Sequence, residues 1–268
     1  MIAFPSLKGV KMIRKIFTVL IIAILIFSLI MLSMELWKGY KEENKFGKLR
    51  EQVQVEESHI VIQVQKPSSE TNEEVPSLKL RQYGEIAKLN DDFVGWIKID
   101  NTNIDYPVVH TPSNEEYYLH RNFEKEYSSS GTPFISASNT LEDEGEQIMI
   151  YGHNMRNNTM FADLLQYKKQ AFWRENPYIH FDTLTSEDTY EIFAVFEIDV
   201  DIENNHFPFY SYAEFENKEV YDDFLEEVTN LSLYYTGVNP SYGETIVSLI
   251  TCDEYSGSNR MVVMGVKK

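Results

Sequence analysis

Hydrophobic positions along the chain fall into three regimes, each predicting a different kind of structure. The first is a continuous run. Ile16 to Leu32 reads IFTVLIIAILIFSLIML, 17 residues without a charge in which only Thr18 and Ser28 are polar, and Met34 extends it to Glu35. As a helix rising about 1.5 Å per residue, such a run just spans a hydrocarbon core of about 30 Å. The second regime is charged, with scattered apolar positions at Leu36, Trp37, Tyr40, Phe46, Leu49 and Val53. Their spacing is an imperfect 3.6-residue period, which predicts a juxtamembrane helix over 35–58, with a solvated stalk as the alternative. A short apolar run follows at His59–Val64, and Lys66–Ser77 (KPSSETNEEVPS) has the composition of a linker.

The third regime, from Leu78 onward, is made of short runs separated by turn residues. Leu78, Leu80, Tyr83, Ile86, Ala87 and Leu89 have helical spacing. Phe93–Ile99 and Ile104–Val109 read as strands around an Asp-Asn turn, and Pro107 places the second at an edge or bulge. Asn114–Leu119 reads as a helical turn, Gly131–Ser136 as a short strand and Gln147–Gly152 as a buried strand ending at His153. Thr159–Arg174 reads as a helix stopping before Pro177. Tyr178–Phe181 and Thr189–Val200 read as strands, Glu214–Leu231 as an amphipathic acidic helix, and Glu244–Val266 as a final hairpin. Strands outnumber helices and short helices fall between them. This predicts a mainly β, barrel-like α+β domain with α insertions over 78–268, not a doubly wound sheet.

Charge adds an orientation and an exclusion. The formal net charge is −18, and all of residues 1–34 contribute only the bases Lys8, Lys11, Arg14 and Lys15. Bases before an apolar run stay in the cytoplasm. No small-residue cleavage site follows Leu32, so an uncleaved signal anchor at 16–34 is favoured over a removed signal peptide. Residues 1–15 are then cytoplasmic, 35–77 form stalk and linker, and 78–268 lie outside the cell. A domain this acidic is not expected to bind nucleic acid.

The single cysteine, Cys252, allows no intramolecular disulfide. It closes the apolar β-branched run Thr245–Thr251. A loop at Asp253–Asn259 then leads to Arg260, which opens the run Met261–Val266. If the two strands pair, a thiol and a guanidinium sit side by side. The same cysteine reads equally as a small core residue. A thiol nucleophile needs a partner that lowers its pKa or takes its proton. Among the six histidines, His59, His110, His120 and His206 lie in linker, polar or turn contexts, and His180 is flanked by core residues. His153 stands where a buried strand becomes loop, a place where functional residues concentrate; a surface loop histidine is the alternative. No zinc-ligand spacing occurs. The acidic stretches Glu142–Glu146 and Asp222–Glu227 lack the ordered spacing of a calcium loop. No metal or cofactor is expected.

Tyr151-Gly152-His153-Asn154, followed by Asn158-Thr159-Met160-Phe161, then Leu249-Ile250-Thr251-Cys252, then Arg260 leading a terminal strand, resemble the sortase family, and within it class B. Gly95-Trp96-Ile97, Asp105-Tyr106-Pro107-Val108 and the long acidic helix extend the resemblance. It implies an eight-stranded β-barrel with peripheral helices and a membrane-anchored cysteine transpeptidase. Such enzymes cleave a C-terminal sorting motif of a secreted protein and pass the acyl group to a cell-wall (peptidoglycan) or pilin amine. By position, Cys252 is then the nucleophile, His153 the general acid and base, and Arg260 the group that steadies the carbonyl or oxyanion. Asn114, Leu119, Tyr210, Ile250 and Thr251 would contact substrate. Ile250 departs from the small polar residue often found two positions before the cysteine. Two other readings stay open on the residues themselves: a surface cysteine peptidase that delivers the acyl group to water, and a non-catalytic anchored binding domain.

Overall fold

The computed structural model describes residues 7–64, 83–141, 147–201, 207–252 and 257–268, the side chains of 7–13, 35 and 56–64 excepted. The chain divides into two compact units, Met1–Asn44 and Lys45–Lys268. A single helix, α1 (Leu7–Val64), supplies the first unit and opens the second. In the first unit the large apolar side chains from Ile16 to Met34 are exposed, and this part of α1 is long and apolar enough to cross a membrane.

The second unit is built on a closed barrel with strand order β1-β2-β3-β4-β7-β8-β6-β5. The strands are β1 (Phe93–Lys98), β2 (Asp105–His110), β3 (Phe134–Ile135), β4 (Gln147–Tyr151), β5 (Tyr178–Thr183), β6 (Glu187–Asp199), β7 (Ile246–Cys252) and β8 (Asn259–Lys267). Pairing of β1 with β5 closes the barrel, and β2–β3 and β4–β7 are its parallel neighbours. Pro107 fits because β3 is so short. Val109 N donates to Pro133 O on the β3 side. The nitrogen of Pro107, two residues earlier, faces the same side beyond the reach of β3, which pairs only with Val109 and His110.

β4, β7 and most of β8 are buried on both faces, which is why they read as nearly continuous apolar runs, whereas β5 alternates buried and half-exposed positions. On β7 and β8, Val247, Leu249, Met261 and Val263 join one core cluster with Ile97, Ile150 and Phe181. The alternate residues Ile246, Ile250, Val262 and Met264 join a second cluster with Phe209, Tyr221, Phe224 and Val228. Much of that second layer is α4 (Lys218–Leu231), whose Asn217 Oδ1 caps it by accepting from Val220 N at 3.1 Å. Its acids Asp222, Asp223, Glu226 and Glu227 are exposed, a solvated face. Glu142–Glu146 lie outside the described residues.

Two segments differ from the pattern in the sequence, and a third is described only in part. The helix expected over Thr159–Arg174 is two pieces, a 3₁₀ turn at Ala162–Lys168 and α3 (Gln170–Glu175), broken at the extended Lys169. The buried positions Leu164 and Tyr167 are three apart, the repeat of a 3₁₀ turn. Asp163 Oδ2 also ties the turn to the Asn103 backbone N at 2.7 Å. The helix expected from Leu78 is described only as α2 (Gly84–Leu89), residues 78–82 lying outside the described set. Lys45–Val53, assigned above to a stalk, belongs to the second unit. There Phe46, Leu49 and Val53 are buried in the barrel core, and the Phe46 ring meets Tyr106 edge-on at 5.2 Å.

Candidate active site

β7 and β8 pair antiparallel in a register that sets Cys252 directly opposite Arg260. Side chains alternate along a strand, so both lie on the face that carries Ile250 and Val262. Opposed residues on such a pair have Cβ atoms about 4.5–5.5 Å apart. The thiol residue is half-buried and is the free cysteine of the chain. Arg260 Nη1 donates to the Gly257 and Asn259 carbonyls at 2.9 and 3.1 Å, which holds the guanidinium at the strand end. The loop expected at Asp253–Asn259 is described only from Gly257.

The end of β4 is fastened to the end of β7. The strands run parallel with Tyr151 paired to Ile250, and Gly152 N continues the ladder to Ile250 O at 3.1 Å. Thr251 Oγ1 donates to Gly152 O at 2.7 Å, and Asn154 Nδ2 donates to Cys252 O at 3.1 Å. His153 sits between these ties. Gly152 has no alternative: a Cβ there would lie 2.6 Å from the Phe161 ring, which is itself held by Phe161 N donating to His153 O at 2.9 Å.

The His153 ring has its own partner. Nε2 lies 2.7 Å from the Leu119 carbonyl oxygen. A carbonyl only accepts, so Nε2 carries a hydrogen and the neutral ring keeps Nδ1 as its basic nitrogen. Gly131 fixes that carbonyl. It adopts φ +61, and a Cβ would lie 2.6 Å from Leu119 O. Burial holds the His153 pKa below that of an ordinary histidine; the Leu119 hydrogen bond acts against this and His120 adds to it.

His153, Cys252 and Arg260 open into one cavity of about 330 Å³, together with Leu119, Ile250 and Thr251. The structure therefore brings together the three chemistry-bearing residues and three of the five expected substrate contacts. Asn114 and Tyr210 are not among the lining residues. Asn114 is exposed ahead of the 3₁₀ turn Glu115–Tyr118, and Tyr210 is half-buried in the turn Phe209–Ser211. The lining residues that sequence reasoning missed are Glu115, Glu116, Phe134, Tyr151 and Gly152, and the tie from Asn154 was missed as well. Tyr151 belongs to the motif already singled out by its neighbour His153. The two glutamates stand one and two places past Asn114. Burial, with the Glu115 carboxylate adding to it, pushes the Tyr151 hydroxyl up, and Arg260 opposes.

A larger cavity of about 430 Å³ lies elsewhere, lined by Arg50, Trp96, Asp105, His180 and Asp182 among others. Several of its polar groups engage one another, with Trp96 Nε1 donating to Asp105 at 2.6 Å and Tyr83 OH to Asp182 at 3.0 Å, and it holds no nucleophile. Among the described residues no group of three or more His, Cys, Asp or Glu side chains is placed to hold a metal ion.

Comparison with known proteins agrees with this geometry. A profile of the Sortase domain matches residues 97–268. Sortase B of Listeria monocytogenes is 33% identical over 251 residues, 92% of this chain and 94% of the relative. Sortase B of Staphylococcus aureus is 32% identical over 187 residues, 69% of this chain and 74% of the relative. The Staphylococcus aureus sortase B–substrate complex matches with a TM-score of 0.72 at 29% identity, covering 87% of this chain and 98% of that one. The barrel and its cavity are those of a cysteine transpeptidase. The chain belongs to the sortase family, in its class B.

Proposed function

We propose that the chain cleaves a C-terminal sorting motif of secreted proteins through a thioester on Cys252 and transfers the acyl group to a cell-wall or pilin amine. The observation that carries this is the direct opposition of Cys252 and Arg260 on one face, with His153 opening into the same cavity. The Cys252 proton moves to Nδ1 of neutral His153, and the thiolate attacks the scissile carbonyl. Arg260 donates to the oxyanion as it forms, where preorganised charge acts most strongly. The imidazolium then protonates the leaving amine as the C–N bond breaks, leaving the thioester and a neutral ring. The incoming amine adds to the thioester while His153 removes its proton. Collapse expels the Cys252 thiolate and completes the transfer. Leu119, Ile250 and Thr251 contact the peptide within the cavity, and Asn114 and Tyr210 extend the contact beyond it. The related Staphylococcus aureus sortase B was solved as a substrate complex, which supports substrate binding by this chain.

The exposed apolar stretch of α1 anchors the protein in the cell membrane as a single pass, with residues 1–15 cytoplasmic and the barrel outside. Protease added to intact, wall-stripped cells should remove the barrel; a protected barrel, or a mature chain starting near Ser33, rejects this topology.

The reaction is tested on full-length protein in detergent with a class B-type sorting peptide, while hydroxylamine or an oligoglycine is titrated in. Mass spectrometry should show the acyl–amine adduct displacing the free acid, and an acyl group on Cys252 when amine is absent. Free acid alone at saturating levels of several amines would replace the transpeptidase with a peptidase.

A further inference from the structure

His153 has a second imidazole laid against it. His120 follows Leu119, the residue whose carbonyl accepts from His153 Nε2. The two ring centroids are 5.6 Å apart with planes inclined by 19°. His120 is exposed where His153 is partly buried. Its backbone is fixed, with Ser128 N donating to His120 O at 3.1 Å and Thr132 N to Tyr118 O at 3.1 Å. One short rigid segment thus supplies both the acceptor for the His153 ring and a flat surface along it.

We propose that His120 is a positioning residue for acyl transfer, its ring holding the plane of His153 so that Nε2 stays on the Leu119 carbonyl and its charge setting how readily His153 takes up a proton. This rests on the acid–base role given to His153 above. A positive charge on the neighbouring ring disfavours a proton on His153, in the same direction as its burial. Stacking also opposes tilting of the His153 ring about its Cβ–Cγ bond, the motion that would turn Nδ1 away. Other groups face the same space: Glu115 and Glu116 from the 3₁₀ turn, Tyr151 from β4, Cys252 from β7 and Arg260 from β8. Any rate profile mixes their titrations, so His153 itself must be read.

The experiment uses full-length protein in detergent with isotope-labelled histidine. The His153 ring resonance, assigned by its loss in His153→Gln, is titrated by NMR in wild type, His120→Phe and His120→Ala. The acid limb of kcat/KM for the sorting peptide is measured alongside. His120→Phe keeps a flat ring and removes the charge. It should move both the His153 titration and the acid limb to higher pH by roughly half a unit. His120→Ala removes ring and charge, so it should shift both equally and also lower the plateau kcat by about tenfold, the cost of a loosened acid–base group. An unmoved His153 titration in both variants overturns the proposal. So does a plateau kcat that falls equally in both, since that would be a structural loss unrelated to stacking. Substantial activity in His153→Ala would instead remove the acid–base assignment itself, an outcome distinct from an unmoved titration.

Discussion

Cys252 and Arg260 are paired one to one across β7 and β8, so the sheet sets the spacing of their backbones, and the Gly257 carbonyl of the loop then holds the guanidinium. Arg260→Lys keeps charge and backbone but loses the planar fork. Turnover of the sorting peptide should fall by about 10²–10³-fold, the usual effect of removing an oxyanion donor. Near-wild-type kcat in Arg260→Lys would remove the oxyanion role. Cys252→Ala should abolish the acyl adduct in mass spectra and shift the Tm by no more than about 2–3 °C, since a half-buried strand-end thiol holds little core.

Gly152→Ala tests how His153 is placed. The added Cβ would fall 2.6 Å from the Phe161 ring, and Phe161 is bonded through its backbone to His153. Overpacking of this kind costs about 1–3 kcal/mol. Urea unfolding should report that loss, and kcat should drop further than stability explains because the His153 backbone moves with Phe161. Full activity with an unchanged midpoint would show that the ring yields freely.

Phe46, Leu49 and Val53 are core residues of the barrel unit, and Arg50 Nε donates to the Asp105 carbonyl at 2.7 Å. A chain starting at Leu78 should therefore be much less stable than one starting at Lys45. Phe46→Ala alone should cost about 3–5 kcal/mol. Equal urea midpoints for the two truncations would show that these residues add nothing to the barrel.

Burial holds both His110 and His153 below the ordinary histidine value of 6.5. The Ser136 carbonyl hydrogen bond opposes this at His110. The folded state thus favours the neutral rings, and the unfolded chain binds more protons below 6.5. Stability should be full above that pH and fall as pH drops from 6.5 through the folded pKa values. His110→Asn, away from the chemistry, should flatten this slope in urea titrations between pH 5 and 7.5. A slope unchanged by the substitution would assign the effect to other groups.

The hairpin was legible because its two apolar runs are bounded by polar loop residues; that Cys252 faces Arg260 was conditional on how the strands pair, and the sheet supplies that register. His153 was legible from a strand ending in glycine. What sequence could not show were relations across long separations. Lys45–Val53 has the charge density of a stalk, and only the Tyr106 and Asp105 surfaces give its apolar positions somewhere to go. Glu115 and Glu116 look like ordinary turn acids until the Leu119 carbonyl is seen to reach His153. Asn114 and Tyr210 were placed by resemblance alone, and neither lines the cavity. The 3₁₀ turn ahead of the break at Lys169 is tied through Asp163 to Asn103, sixty residues earlier, which no local period records.

The parallel pairing of β4 with β7 sends both strands out at the same rim of the barrel. The ties across that rim join residues 98 and 99 positions apart in the chain. Contacts of such long sequence separation form slowly, because the intervening segment must be closed first. Until that pairing is made, the imidazole and the thiol belong to different parts of an open chain. Under the proposed mechanism, reactivity is therefore a property acquired with completed folding: a nascent or partly unfolded molecule carries both side chains and no assembled pair.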